Sequence, residues 1–146
     1  MKFHLLLLLM LIGMGPAQGQ KKLKQGIEGK VFWIAGNQMP GPDRPPTPQV
    51  GVKREIFIYE KIRASEAELV NGFFVRVPSR LILQAESKTD GSFRVKLPPG
   101  EYSVLVKEPG GLYANLFDQD NFINPVSVKL KTFSWLTIAI DYEAAY

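Results

Sequence analysis

Apolar and polar residues alternate with a period of two along most of this chain. Residues 55–59 add a dense run of β-branched and aromatic side chains. The alternation itself covers seven segments: 27–33, 73–77, 81–86, 92–97, 102–107, 126–131 and 136–142. This pattern is typical of strands that bury one face in an antiparallel sheet. Seven or eight such strands, separated by turn signals, predict an all-β domain that is a sandwich or a barrel.

Helical signal is nearly absent. Ser65 and Glu68 have the spacing of a capping box, so residues 65–69 predict one helical turn. No amphipathic segment continues this turn. The sequence therefore places it in a connection between strands.

Two turns are well specified by glycine. Asp90-Gly91 supplies the positive φ that a tight hairpin requires. Gly100 follows two prolines and lets the chain reverse into the next strand. We therefore expect hairpins here, with Phe93 and Tyr102 facing inward across the second of them.

Two long loops interrupt the strand pattern. Residues 35–51 contain five prolines, which cannot donate to a β-ladder and so exclude a central strand. Residues 109–125 combine glycines and acidic or amide side chains with aromatic residues. Long loops on a rigid sandwich are where binding tends to occur. The alternative is that their apolar residues fold back and cap the open end of the sandwich.

The N-terminus has the features of a cleavable signal peptide. Lys2 precedes an unbroken apolar run of eight residues. Small residues follow at the positions that a signal peptidase recognises. The run is far shorter than the roughly 20 apolar residues of a membrane-spanning helix. We predict a signal peptide over residues 1–19, a basic leader over 20–25 and one domain over 26–146. The domain is expected to be periplasmic or extracellular and to contain no membrane span.

The amino-acid composition argues against several kinds of catalytic and metal site. The chain has no cysteine, and its one histidine, His4, lies in the predicted signal peptide. Nucleophilic triads and catalytic zinc or iron sites normally need an imidazole or a thiol. The net charge is a mild +4, and three lysines of the leader contribute to it. That is not the basic stripe of a nucleic-acid-binding domain. We expect a chain that is not an enzyme, holds no cofactor and binds no nucleic acid.

The turn motifs also resemble those of a known family. Residues 89–93 (TDGSF) and 97–104 (LPPGEYSV) are similar to the T-D-x-G-x-F and L-P-P-G-x-Y motifs of carboxypeptidase regulatory-like domains. Residues 29–31 (GKV) are similar to the opening strand of that family. One residue is missing after Asp90, and a long insertion follows the first strand. The resemblance implies a transthyretin-like (prealbumin-like) fold, a single antiparallel Greek-key β-sandwich of seven to eight strands, in an accessory or binding role.

Two alternatives depend on carboxylates. Asp118, Asp120, Asn121 and Asn124 form an oxygen-rich group of the kind that calcium prefers, although the spacing does not fit an EF-hand loop. A loop that hydrogen-bonds to itself is the other interpretation of these residues. A glycosidase pair would need two acids across a cleft, and nothing in the sequence brings two together. The acids available for such a pair are Glu55, Glu60, Asp118 and Asp120.

Recognition is expected in the two long loops. The polar and aromatic residues chosen there are Asn37, Gln38, Met39, Tyr113, Asn115 and Phe117. We predict an exported, non-catalytic module with a binding or accessory role at the cell envelope. Its partner would be a protein or a glycan, bound through loops 35–51 and 109–125. A carboxylate-only enzyme that acts on sugars and a calcium-dependent adhesion module stay open as alternatives.

Overall fold

The computed structural model describes residues 22–45 and 47–146, and their regular structure is β-strand apart from one 3₁₀ turn. The predicted signal peptide lies outside these residues. Within them, no helix has the length and apolar character needed to cross a membrane. The strands are β1 (Gly26–Asn37), β2 (Val50–Gly51), β3 (Glu55–Glu60), β4 (Glu68–Val70), β5 (Phe73–Arg76), β6 (Leu81–Glu86), β7 (Ser92–Lys96), β8 (Gly100–Glu108), β9 (Gly111–Tyr113), β10 (Pro125–Val128) and β11 (Phe133–Ala145).

The predicted all-β sandwich is confirmed, because two sheets pack face to face around an apolar core. Each of the eight strands expected from the sequence is present. The three further strands, β2, β4 and β9, are two or three residues long. A segment this short cannot show a periodic pattern of apolar residues. These strands form because a neighbouring strand has an edge with which they can pair.

The smaller sheet is built around β1. On one side, β1 pairs with β11 from Gly26 opposite Phe133 to Asn37 opposite Ala145. This pair is parallel, which departs from the purely antiparallel sheets that the family resemblance implies. A parallel pair needs a long connection, and the rest of the domain lies between these first and last strands. On its other side, β1 pairs first with β7 and then with β2.

The larger sheet has the strand order β4-β5-β9-β8-β3-β6. Its central strand, β8, also pairs with β10 along its first half. The side chains of β8 alternate between two apolar environments. Val104 and Val106 belong to the core between the sheets, whereas Leu105 points to the outer face of the larger sheet.

The two glycine turns are corners between the sheets, so the expected hairpins are wrong. β6 belongs to the larger sheet and β7 to the smaller one, and the chain crosses between them at Asp90-Gly91. It returns to the larger sheet at Gly100. Gly91 does adopt a positive φ of 85°. Phe93 and Tyr102 are buried as predicted, but they enter the core from opposite sheets. The residues of a turn specify where the chain reverses, but they do not determine which strands pair.

A second apolar cluster covers the outer face of the larger sheet. It consists of Ile62, Phe74, Leu105, Ala114 and Ile123. Residues near the 3₁₀ turn and residues of the loop 114–124 fold across this face. The apolar residues of this loop therefore fold back onto the domain, as the capping alternative predicts. They cover the outer face of a sheet, however, and not an open end of the sandwich.

The 3₁₀ turn spans Ala64–Glu66, slightly earlier than predicted. The carboxylate of Glu66 accepts a hydrogen bond of 3.2 Å from the backbone N–H of Arg63. The expected capping pair of Ser65 and Glu68 is therefore wrong, since Glu68 already begins β4. The buried side chain of Ile62 fixes the register of this segment against the second cluster.

Candidate functional site

Several aromatic and charged side chains come together at one end of the sandwich, and we call it the loop end. There β1 and β11 finish side by side, and the carbonyl of Ala145 accepts a hydrogen bond of 2.7 Å from the N–H of Gln38. The loop 38–49 leaves β1 at this end. The turn between β8 and β9 lies here too, because the hydroxyl of Tyr142 in β11 reaches Glu108, the last residue of β8.

An aromatic cluster occupies the loop end and comprises Trp33, Phe73, Tyr113 and Tyr142. The Tyr142 ring lies at its centre, with ring centroids 5.3 Å from Trp33, 4.9 Å from Phe73 and 5.3 Å from Tyr113. All three contacts are edge-to-face, a favourable arrangement of aromatic quadrupoles. Tyr113 is buried, but Tyr142 is 37% exposed. The cluster therefore closes the core and still presents ring surface to solvent.

A β-bulge in β11 produces this arrangement. Trp33 is opposite Ile140 and Ala35 is opposite Glu143, so β11 holds one extra residue over this stretch. A bulge redirects side chains that would otherwise alternate strictly between the two faces. As a result, the neighbours Asp141 and Tyr142 both contact Tyr113.

Asp141 is a carboxylate held by three donors. Its Oδ1 accepts hydrogen bonds from the hydroxyl of Tyr113 at 2.6 Å and the amide of Asn115 at 2.8 Å. Its Oδ2 accepts one from the hydroxyl of Tyr146 at 2.8 Å. Burial on its own would raise the pKa of Asp141, but these hydrogen bonds outweigh it and lower the pKa below its usual value. The pKa of Tyr113 is raised, first by burial and then by the bond to Asp141.

A second ionic group lies beside the same cluster. The Nε of Arg54 donates a hydrogen bond of 2.7 Å to Glu108, whose side chain is 1% exposed. Glu108 also accepts a bond of 3.1 Å from the hydroxyl of Tyr142. The pKa of Tyr142 is raised by burial and by this bond. The guanidinium carbon of Arg54 lies 5.8 Å from the Trp33 ring centroid, within cation–π range.

The proline-rich loop encloses a small cavity of about 330 Å³. Its lining residues are Asn37, Gln38, Met39, Pro40, Gly41, Arg44, Pro45 and Thr47. The Oδ1 of Asn37 accepts a bond of 2.8 Å from the N–H of Met39, and the amide of Gln38 donates one of 2.9 Å to the carbonyl of Ala35. These local bonds give the start of the loop a defined shape. Met39 is 56% exposed.

Five of the six residues predicted for recognition lie at the loop end. Tyr113 and Asn115 converge on Asp141, and Asn37, Gln38 and Met39 line the loop cavity at the same end. Phe117 lies elsewhere. Its ring packs 6.4 Å from the ring of Phe74, on the outer face of the larger sheet.

The sequence pattern does not identify the residues that organise the loop end, namely Trp33, Arg54, Glu108, Asp141 and Tyr142. The alternation in residues 27–33 and 136–142 places Trp33 and Tyr142 on the apolar faces of their strands. It places Asp141 on the polar face, because nothing in the alternation signals a bulge. Glu108 did give a signal, since a carboxylate directly after an apolar strand and before Pro109 can lie at an edge of the core.

The proposed calcium residues form a loop that hydrogen-bonds to itself. The Oδ1 of Asp118 accepts bonds from the N–H of Asp120 at 3.1 Å and of Phe122 at 2.9 Å. The amide of Asn124 is buried and donates to the carbonyl of Val104 at 3.0 Å. Over residues 22–45 and 47–146, no group of three or more histidine, cysteine, aspartate or glutamate side chains is placed to hold a metal ion.

Three of the four acids considered for a glycosidase pair have separate partners. Glu55 forms an ion pair of 3.4 Å with Lys107, and Glu60 forms one of 3.2 Å with Arg80. Asp118 is engaged in its own loop. Glu55, Glu60 and Asp118 are therefore each held in separate ionic or hydrogen-bonded surroundings.

Comparison with known proteins gives no match to a family model, to a curated protein or to a solved structure. The chemistry of the loop end is therefore the feature that indicates a function. That chemistry consists of a partly exposed aromatic cluster between two carboxylates, each with its own set of donors.

Proposed function

We propose that this chain is an exported, non-catalytic binding module that recognises a protein or glycan partner of the cell envelope. Recognition takes place at the loop end. The observation that carries the proposal is the aromatic cluster, whose Tyr142 ring is partly exposed between the Arg54–Glu108 pair and the Asp141 network.

Aromatic rings and fixed polar groups are the usual parts of a recognition site. Exposed ring faces and edges stack against sugar rings or apolar side chains, and nearby polar groups orient the ligand. The guanidinium of Arg54 is held at Nε by Glu108 and at one terminal nitrogen by the carbonyl of Lys53. A group already held in place loses little conformational entropy when a ligand binds. The geometry thus favours rigid recognition of a partner.

The electrostatics favour binding over catalysis by carboxylates. A general acid must keep its proton near neutral pH, which requires a raised pKa. The pKa of Asp141 is lowered, so this carboxylate is ionised. Its oxygens accept hydrogen bonds from three side chains and are poorly placed to exchange a proton with a substrate.

The cell-envelope location is supported by the sequence. Residues 1–19 have the features of a signal peptide. The turn motifs at residues 89–93 and 97–104 resemble carboxypeptidase regulatory-like domains, which implies an accessory or binding role. A chain with this fold and these motifs fits an extracytoplasmic binding module.

A pull-down from the native envelope fraction tests the proposal. The protein carries a tag ahead of residue 22, and bound proteins and glycans are identified. Arg54→Gln should reduce capture at least roughly tenfold, because a charge-assisted hydrogen bond contributes about 1.5–3 kcal/mol. Arg80→Gln is the matched control, since Arg80 pairs with Glu60 elsewhere. Equal capture by the two variants, with both folded in thermal melts, would refute recognition at the loop end.

Replacing residues 40–48 with two glycines separates recognition from folding. Their described side chains are exposed or half-buried, and one internal backbone bond, from Arg44 to Gly41, organises them. We expect the midpoint of thermal unfolding to change little and partner capture to fall. If the replacement unfolds the protein, the loop is instead a structural cap.

A further inference from the structure

The end of the sandwich opposite the loop end has a projecting leucine between two lysines. Leu130 is 71% exposed and lies in the turn between β10 and β11, flanked by Lys129 and Lys131. Lys131 adopts φ 59°, and the N–H of Thr132 donates a bond of 3.3 Å to the carbonyl of Lys129. The turn is thus tight, and it directs Leu130 away from the core.

This turn is held against the beginning of β1. The backbone N–H of Lys131 donates to the side chain of Gln25 at 3.3 Å, and the N–H of Gly26 donates to the carbonyl of Thr132 at 3.1 Å. Gln25 was assigned to the leader, but it is buried and part of the fold. These bonds bring Lys24, next to Gln25, to the same end as Lys129 and Lys131.

Aromatic and basic side chains continue this surface onto the outer face of the smaller sheet. The guanidinium carbon of Arg94 lies 3.8 Å from the ring centroid of Phe133. Trp135 is 63% exposed and lies opposite Glu28 in the sheet. A shallow cleft of about 490 Å³ follows the same surface, lined by Leu23, Lys24, Arg94, Lys96 and Phe133. We call this surface the basic end: Lys24, Arg94, Lys96, Lys129, Leu130, Lys131, Phe133 and Trp135.

The four lysines of the basic end lie outside the ion pairs that the described residues form. Within the described part of the chain, none of the seven ion pairs involves Lys24, Lys96, Lys129 or Lys131. The carboxylate of Glu28 pairs with Arg94 at 3.7 Å. By contrast, Lys53 and Lys107 near the loop end are paired with Glu86 and Glu55. The basic end therefore combines a net positive charge with exposed apolar side chains.

We infer that the basic end docks on the surface of an anionic lipid bilayer. Lysines near an anionic membrane are attracted to its surface potential, and an exposed leucine or tryptophan is stabilised at the boundary between headgroups and acyl chains. A soluble polyanion would bind the lysines, but Leu130 would stay exposed to water. Because β1 runs from the basic end to the loop end over roughly 35 Å, docking leaves the recognition surface facing away from the membrane.

Vesicle co-sedimentation tests this inference. The exported protein is mixed with phosphatidylcholine vesicles, with or without about one-third phosphatidylglycerol. We expect binding to the anionic vesicles alone, and binding should weaken as salt rises, because counter-ions screen the attraction. Lys129→Gln and Lys131→Asn should each weaken partitioning roughly fivefold, and Leu130→Ser roughly tenfold. The triple variant of the basic end combines these three substitutions.

The matched control removes equal charge and apolar surface elsewhere. It combines Leu69→Ser, Lys88→Gln and Lys107→Gln, and it should bind vesicles as the wild type does. In Trp33→Phe, Trp135 is the remaining tryptophan, and its emission should shift to shorter wavelength on anionic vesicles. Equal binding to both vesicle types, or equal losses in the two triple variants, would overturn the inference. Binding to a soluble acidic polysaccharide without binding to vesicles would also overturn it.

Discussion

The phenol of Tyr113 donates a hydrogen bond of 2.6 Å to Asp141, and this bond joins the two sheets of the sandwich. Tyr113 belongs to β9 in the larger sheet, and Asp141 belongs to β11 in the smaller one. Asn115 and Tyr146 donate to the same carboxylate. Taking a charged group out of water is costly unless its oxygens accept hydrogen bonds. The three donors therefore account for a half-buried, ionised carboxylate between the sheets.

Removing this carboxylate should destabilise the domain. Asp141→Ala leaves the buried hydroxyl of Tyr113 without its acceptor, which typically costs about 1–3 kcal/mol. Unfolding by urea, followed by circular dichroism, measures the change in the free energy of unfolding. Asp43→Ala is the matched control, because Asp43 lies on the exposed part of the proline-rich loop. Equal stability of the two variants would contradict the structural role of Asp141.

Acid should abolish the contribution of Asp141. Its pKa in the folded protein is below the ordinary value of 3.8, so the stability that it contributes is fully present above that value. That stability is lost as the pH falls through the folded pKa. The difference in unfolding free energy between wild type and Asp141→Asn should therefore shrink between about pH 6 and about pH 2. A difference that is constant over this range would show that the charge of Asp141 does not stabilise the fold.

Gly29 in β1 should not tolerate a side chain. A Cβ atom at Gly29 would lie 1.7 Å from the carbonyl oxygen of Leu136 in β11. Gly29→Ala therefore forces β1 and β11 apart, and we expect a loss of about 3 kcal/mol or failure to fold. Gly41→Ala is the control, since its nearest new contact would be an ordinary 3.9 Å from Arg44. Thermal melts of the two variants make the comparison, and a stable Gly29→Ala protein would contradict the register of these strands.

Calcium should leave the melting temperature unchanged. The Oδ1 of Asp118 already accepts two backbone hydrogen bonds, and the amide of Asn124 is buried. A cation that binds only the native state at a hundred times its dissociation constant adds about 2.7 kcal/mol, which raises the melting temperature by several degrees. Melts with calcium and with a chelator measure the difference. A rise of that size in the melting temperature would support the alternative of calcium-dependent adhesion.

Part of the candidate site was accessible from sequence. Tyr113 and Asn115 were identified because aromatic and amide residues in a long loop favour recognition, and both contact Asp141. Phe117 satisfied the same criterion and lies on a different face. Composition marks a loop as capable of binding, but the path of the loop over the sheets decides which of its side chains meet.

The sequence by itself determined the eight longer strands and the positions of the turns, because alternation and glycine or proline chemistry act over a few neighbouring residues. It placed Phe93 and Tyr102 in the core and marked Asp90-Gly91 as a chain reversal. Tertiary structure decided which strands pair, since hydrogen bonds between β-strands join residues that are distant in the chain. The parallel pairing of β1 with β11, the corners between sheets and the bulge beside Asp141 all arise from such contacts, and together they assemble the loop end.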